Sequence, residues 1–281
     1  MPAHRPNLAS ESERTGDTRA QALLQAPSLA AVPGVVHGFT TRRGGVSTGP
    51  FATLNLGVSG GDSPEAVAAN WRLVTEQLDA TQRRLVTVAQ VHGARVVRVD
   101  RDTTGRLEAD ALWSEDARVI AAILVADCVP ILLAERSGRA VAAVHAGWRG
   151  TRQHVGAATV AVLAAAGYPP ATLRAAIGPA IGPERFEIGE DVAHELRTAY
   201  PDAGDAIVQR PDATGRRRWW AHLWALNRAD LVGAGVPETA IDVLPYCTVT
   251  HAQSFFSYRR DGARSGRQAA VIGAAHTPVR P

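Results

Sequence analysis

No lysine occurs among the 281 residues; all 30 basic side chains are arginine, set against 27 Asp and Glu for a formal net charge of +3. That absence excludes whole mechanisms. Schiff-base and pyridoxal-phosphate enzymes need a lysine amine, and a Walker-type phosphate loop needs its lysine. Cysteine is almost as scarce, with only Cys128 and Cys247. In a reducing compartment two such distant residues read as thiols for metal binding or catalysis rather than as a disulfide. Long apolar runs are missing too. The longest, residues 119–134, is interrupted by Asp127 and Pro130 and is too short to span a bilayer. The first 17 residues lack the apolar core of a signal peptide, so the expectation is a cytoplasmic protein with no membrane partner. Dense basic runs are limited to Arg216-Arg217-Arg218. We read that run as a solvated loop and expect no nucleic-acid partner.

What is present is ordinary for a globular protein: 46% hydrophobic and 20% charged residues. A chain of this length buries roughly three-quarters of its unfolded surface. Residues 1–25 are rich in Ser, Glu, Arg and Thr and read as a disordered tail; residues 26–281 read as a single domain without linker or repeat. Ser63-Pro64-Glu65 predicts a helix start, with Ser63 as cap and Pro64 in the first turn. Residues 85–91 and 95–99 read as strands. The apolar runs 119–125, 130–134 and 140–144 suit buried strands. Helices are expected over 151–166, 190–200 and 223–232, and strands over 241–244, 255–258 and 269–272. Helices and strands mix without strict alternation, which argues for an α+β fold.

The residues able to carry chemistry lie at strand ends. His92 stands in Gln90-Val91-His92-Gly93, Cys128 follows an apolar strand in Ala126-Asp127-Cys128, and His145 closes another before Ala146-Gly147-Trp148-Arg149-Gly150-Thr151. Two imidazoles and a thiolate make a three-ligand set with a fourth position open, the pattern of a catalytic zinc. A strand-ending His is more often an ordinary core or cap residue than a ligand, and a lone Cys in an apolar run is usually packing. The separations of 36 and 17 positions match no zinc-finger rule. The loop Thr41-Arg42-Arg43-Gly44-Gly45-Val46-Ser47 offers backbone N–H groups and guanidinium to an anion, or is a hairpin turn.

Taken together the motifs resemble the YfiH/LACC1 family, also called the laccase-domain or multicopper polyphenol oxidase family, or peptidoglycan editing factor. The resemblance rests on Thr41-Arg42-x-Gly44-Gly45-Val46-Ser47, Leu54-Asn55-Leu56-Gly57, Gln90-Val91-His92-Gly93, Ala109-Asp110-Ala111 and Ala126-Asp127-Cys128. It continues through His145-Ala146-Gly147-Trp148-Arg149-Gly150-Thr151, Gly178-Pro179-x-Ile181-Gly182 and Phe255-Phe256-Ser257-Tyr258-Arg259-Arg260-Asp261-Gly262, in family order. It implies a mixed-sheet α/β/β/α sandwich and one zinc ion held by His92, Cys128 and His145. The activities it implies are phosphorolysis of adenosine, inosine, guanosine and methylthioadenosine, and hydrolytic deamination of adenosine. The partners would be a small nucleoside and phosphate. One departure is visible: the family's Asp-Leu-Trp stands here as His222-Leu223-Trp224.

Chemistry sorts these labels. The chain has no His-x-His pair to cluster several coppers, so a single adventitious copper in an open His/His/Cys site would account for oxidase activity. The His-x-Glu…Pro-Cys-x-x-Cys signature of nucleobase deaminases is absent. Phosphorolysis needs an anion site, and without lysine that task falls to arginine; Arg42 and Arg149 are the candidates, with Arg149 grouped with Cys128 and His145 as catalytic. Asn55 binds a ribose hydroxyl or fixes a loop. Asp127 and Glu187 are candidate acids or bases, or structural. Two other classes stay open: a Cys128-dependent hydrolase or amidase acting on cell-wall precursors, and a metal-binding regulator. The sequence leaves the oligomeric state and the role of Cys247 open.

Overall fold

The computed structural model describes residues 23–105 and 107–275. The chain begins with β1 (Leu23–Leu24), α1 (Pro27–Ala30), β2 (Val36–Thr40), α2 (Pro64–Gln77), β3 (Arg84–Val86) and β4 (Val96–Arg98). Next come β5 (Ala111–Ser114), β6 (Val119–Val125), β7 (Val129–Glu135), β8 (Val141–Ala146), α3 (Trp148–Arg152), α4 (Val155–Ala165) and β9 (Leu173–Ile177). It finishes with β10 (Glu187–Ile188), α5 (Glu190–Ala199), β11 (Ile207–Pro211), β12 (Arg217–Ala221), α6 (Leu223–Gly233), β13 (Ile241–Val243), α7 (Tyr258–Asp261) and β14 (Gln268–Gly273).

Two mixed sheets stack face to face, ordered β1-β2-β14-β6-β3 and β13-β9-β7-β8-β5-β4. Successive side chains of a strand point to opposite faces, and both faces of the central strands are apolar. In β6, Val119, Ala121, Ile123 and Val125 meet Leu132, Ala134, Val141 and Ala143 of the other sheet. Its Ile120 and Ala122 face away, under Val74 and Leu78 around α2. In β7 and β8, Ile131, Leu133, Ala142 and Val144 lie against Val155, Val160 and Leu163 of α4 and Leu226 and Leu231 of α6. Continuous apolar strands therefore demand cover on both sides, and the result is the mixed α/β/β/α sandwich, one domain. Each fully buried Leu, Ile or Val contributes about 1.5–3 kcal/mol before entropy is subtracted.

Local chemistry explains both the agreements and the differences. Ser63 caps α2 by accepting the Ala66 N–H at 3.3 Å, with Pro64 in the first turn. The helix expected over 151–166 is two: His154 adopts φ +57 and ends α3 before α4 begins. The strand expected over 255–258 is not one. Phe255 and Phe256 are buried in irregular chain, and Ser257 caps α7 by accepting the Arg260 N–H. The strand expected over 85–91 ends at Val86, leaving Ala89 in a single bridge with Glu108. Arg217 and Arg218 belong to β12 rather than to a loop; Arg218 lies 3.3 Å from Asp212 and 3.5 Å from Glu187. Residues 1–22 of the expected tail lie outside the described residues, while Leu23 and Leu24 already pair with Thr40 and Phe39. No described helix is long and apolar enough to cross a membrane.

His37 of β2 fastens the start of the described chain. It is buried, and its Nε2 accepts the Ala26 N–H at 3.0 Å. Desolvation lowers its pKa from 6.5 to about 4, so the native state keeps the neutral ring. A depressed histidine pKa means the unfolded chain takes up the proton first. The stability is full above pH 6.5 and declines as pH falls toward 4, by about 3 kcal/mol at most. Urea unfolding followed from pH 7 to 4 will show a shallower loss for His37→Gln than for the parent protein; identical pH slopes would contradict this assignment.

Candidate metal centre

Three donors meet at one end of the six-stranded sheet. Cys128 directly precedes β7 and His145 lies near the end of β8; the antiparallel register pairs Pro130 with His145 and Val129 with Ala146, which sets the two side by side. His92 arrives from the loop between β3 and β4, in a left-handed conformation of φ +61 that His, Asn and Asp tolerate better than most residues. The ligand atoms of His92, Cys128 and His145 lie within 4.8 Å of one another, and this is the one such His/Cys/Asp/Glu group among the described residues. The two imidazole rings meet edge to face at 4.9 Å.

Asp110 organises them. It is fully buried immediately before β5. Its Oδ1 lies 2.8 Å from His145 Nδ1 and accepts the His92 N–H at 2.9 Å; its Oδ2 accepts the Gly93 N–H at 2.6 Å. Its carbonyl also accepts the His145 N–H at 2.7 Å. One carboxylate thus fixes the loop carrying the first ligand and the ring of the third. With Nδ1–H engaged by the carboxylate, His145 offers Nε2 as its ligand atom, the usual outer partner of a metal-bound histidine. Burial pushes the Asp110 pKa up, but the His145 ring and the N–H groups of Gly93 and His92 outweigh it and hold the carboxyl below its ordinary range.

The charge pattern suits a metal. Burial opposes ionisation of Cys128, yet the neighbouring His145 and His92 bring its thiol down to about 6. Burial likewise opposes protonation of His145, while Cys128 and Asp110 raise its pKa to about 9. A cation in place of the imidazolium proton answers the same thiolate. Gly147 leaves the room: a Cβ there would sit 3.1 Å from both Cys128 Sγ and His92 Cδ2. Two imidazoles, one thiolate and a carboxylate-set tautomer fit Zn²⁺, which His92, Cys128 and His145 would hold, with His92 on the exposed side of the group.

That side opens into a pocket of about 600 Å³ lined by the three ligands together with Gln90, Asp127, Phe186, Tyr258, Arg259 and Arg267. The sequence candidates divide around it. Asp127 lines the pocket at φ +88, but its carboxylate accepts Thr248 Oγ1–H and the Arg259 N–H, each at 2.6 Å; it anchors the α7 segment to the Cys128 turn. Asn55 is buried and fixes a loop. Its amide donates to Gly57 O and Asp62 Oδ2, and its carbonyl accepts the N–H groups of Gly57 and Arg267. Arg42 is elsewhere, in a separate cavity of about 940 Å³. Its guanidinium donates to the carbonyls of Ala52 and Ala252 and lies 4.5 Å from the Phe256 ring centre. Arg149 is exposed and stacks on Trp148 at 4.5 Å, away from the pocket lining. Glu187 is half-buried in β10 and is not among the lining residues. Cys247 is buried and accepts the Gly182 N–H at Sγ, which is packing. At the departure from the family pattern, His222 Nδ1 accepts the Ala225 N–H at 3.2 Å and caps α6, the service an aspartate performs.

Sequence reasoning missed two residues. Asp110 carried a signal, its place in the Ala109-Asp110-Ala111 motif, but no rule of spacing links it to His145. Arg267, the half-buried pocket arginine, carried none.

A two-sheet sandwich with a His/Cys/His centre at one sheet end defines a metal-site class, and the comparisons specify it. Residues 36–275 match the multi-copper polyphenol oxidoreductase laccase family, and the chain belongs to that family. A Deinococcus radiodurans protein named purine nucleoside phosphorylase is 41% identical over 251 residues, covering 89% of this chain and 92% of its own. The Escherichia coli protein named purine nucleoside phosphorylase YfiH is 35% identical, with 89% and 98% covered. The crystal structure of YlmD from Geobacillus stearothermophilus superposes with a TM-score of 0.81 at 35% identity, covering 92% of this chain and 97% of that one.

Removing the Asp110 charge while keeping its shape is the direct probe of this arrangement. Asp110→Asn will weaken zinc binding by about 10- to 100-fold, the usual cost of losing such an outer partner, measured by competition with a chromogenic chelator. Unchanged affinity in a folded variant would show that Asp110 does not set the ligands.

Proposed function

We propose that the chain is a zinc-dependent purine nucleoside phosphorylase that also deaminates adenosine, both at the His92/Cys128/His145 centre. The observation that carries this reading is the coincidence, in one pocket, of the three-donor cluster, two aromatic rings and two guanidinium groups. The names of the relatives point the same way, and the volume falls within the roughly 300–1,000 Å³ of small-molecule sites. The family's multi-copper description finds little support here, because the described residues hold a single three-ligand group.

In phosphorolysis the C1′–N9 glycosidic bond breaks, a phosphate oxygen bonds to C1′, and N9 leaves with the electron pair and gains a proton. The products are the purine base and ribose 1-phosphate. A divalent ion at the three ligands would supply Lewis-acid polarisation. The chain's own residues do the rest. Phe186 and Tyr258 offer apolar faces to the base, arginine meets the anion, and Asp110 keeps His145 fixed in orientation and tautomer. In deamination water replaces the C6 amine and ammonia departs. A second reading rests on Cys128 lying between two imidazoles: a cysteine hydrolase acting without metal.

Incubating the zinc-loaded protein with adenosine and phosphate will yield adenine and ribose 1-phosphate, with some inosine. His145→Ala and Cys128→Ser will lose at least about 100-fold of both products. Absence of phosphate-dependent adenine above the His145→Ala background would refute the proposal. Amidase activity that survives metal removal and is abolished by thiol alkylation would favour the hydrolase instead.

A further inference from the structure

We infer that Arg267 is the residue that grips the phosphate in this pocket, a conclusion that rests on the phosphorylase reading above and identifies its anion site. Two arginines line the pocket. Arg259 is exposed, and its guanidinium already donates to the carbonyls of Arg185 and Glu187, each at 3.1 Å. Arg267 differs. Only Nη1 is committed, to the carbonyls of Ser265 at 2.7 Å and Gly266 at 2.9 Å. Its Nε and Nη2 make no hydrogen bond among the described residues. A half-buried guanidinium with one edge clamped and its other donors unclaimed is preset for an anion.

The surroundings hold it there. Asn55 Oδ1 accepts the Arg267 N–H at 2.8 Å, and Asn55 O accepts from Asn70 Nδ2 at 2.8 Å, tying the β14 entry to the loop after β2 and to α2. The side chain runs over Gly57, where a Cβ would approach Arg267 Cγ to 2.7 Å. The Tyr258 ring lies 5.8 Å from the guanidinium carbon. Asn55 and Gly57 thus belong to the same anion site as positioning residues, while Arg42 and Arg149 point elsewhere.

Isothermal titration of inorganic phosphate into the zinc-loaded protein tests this. The parent protein will bind, and Arg267→Gln will weaken binding by at least about tenfold, as loss of a charge-assisted contact implies. Zinc content, which depends on His92, Cys128 and His145 and not on Arg267, will be retained. Arg267→Lys, which keeps charge and stem but not the fork, will fall between them and serves should Arg267→Gln not fold. Failure of the parent protein to bind phosphate would overturn the inference, as would affinity within about twofold of the parent in a folded Arg267 variant. The two claims separate cleanly. Phosphorolysis with an unchanged phosphate KM in Arg267→Gln ends the inference and leaves the phosphorylase; Arg267-dependent phosphate binding without phosphorolysis does the reverse.

Discussion

A single buried carboxylate governs the functional end of this molecule. Asp110 receives the His145 ring at one oxygen and the backbone of His92 and Gly93 at both. A bare buried carboxylate is expensive, and here every partner that compensates it is one of the candidate metal donors or the neighbour of one. The cost of burying Asp110 is therefore offset by the act of assembling the site. The sandwich supplies the other half: β5, β7 and β8 are adjacent in one sheet, so Asp110, Cys128 and His145 arrive together whatever their separation along the chain.

The backbone bears strain where the ligands gather. His92, itself a candidate ligand, and Asp127, next to Cys128, both lie at positive φ, a conformation costing roughly 1–2 kcal/mol for a residue with a Cβ. Each is held by hydrogen bonds that outweigh it, the His92 turn by Asp110 and the Asp127 turn by Thr248 and Arg259. Gly147 completes the cradle by having no side chain to fill it.

Much of this was legible in the residues. Apolar runs without polar alternation foretold strands covered on both faces, and Ser63-Pro64 foretold the start of α2. The three candidate ligands could be named because Cys128 and His145 stand at the ends of apolar strands and His92 beside a glycine, although His92 proves to lie in the loop between β3 and β4 rather than at a strand end. What could not be read is what long-range hydrogen bonds decide. Thr41-Arg42-Arg43-Gly44-Gly45-Val46 looks like an anion loop, but most of its N–H groups are bonded within the fold: Arg42 N to Ser254 O, Arg43 N to Thr41 Oγ1, Gly45 N to Thr53 Oγ1 and Val46 N to Asn70 Oδ1. Arg149 is near His145 in sequence but falls on the outer side of α3, whereas Arg267 is distant in sequence and near in space. A helix expected through 151–166 breaks because His154 turns left-handed and bonds Asp230 at 2.7 Å, a partner no local pattern reveals.

The central claim is that Cys128 and two histidines hold one zinc ion in a site set by Asp110. X-ray absorption at the zinc edge reads this directly. The account predicts one sulfur at about 2.3 Å with nitrogen or oxygen neighbours at about 2.0–2.1 Å, and loss of the sulfur shell in Cys128→Ser. A shell without sulfur in the parent protein, or a sulfur shell that survives in Cys128→Ser, would contradict it.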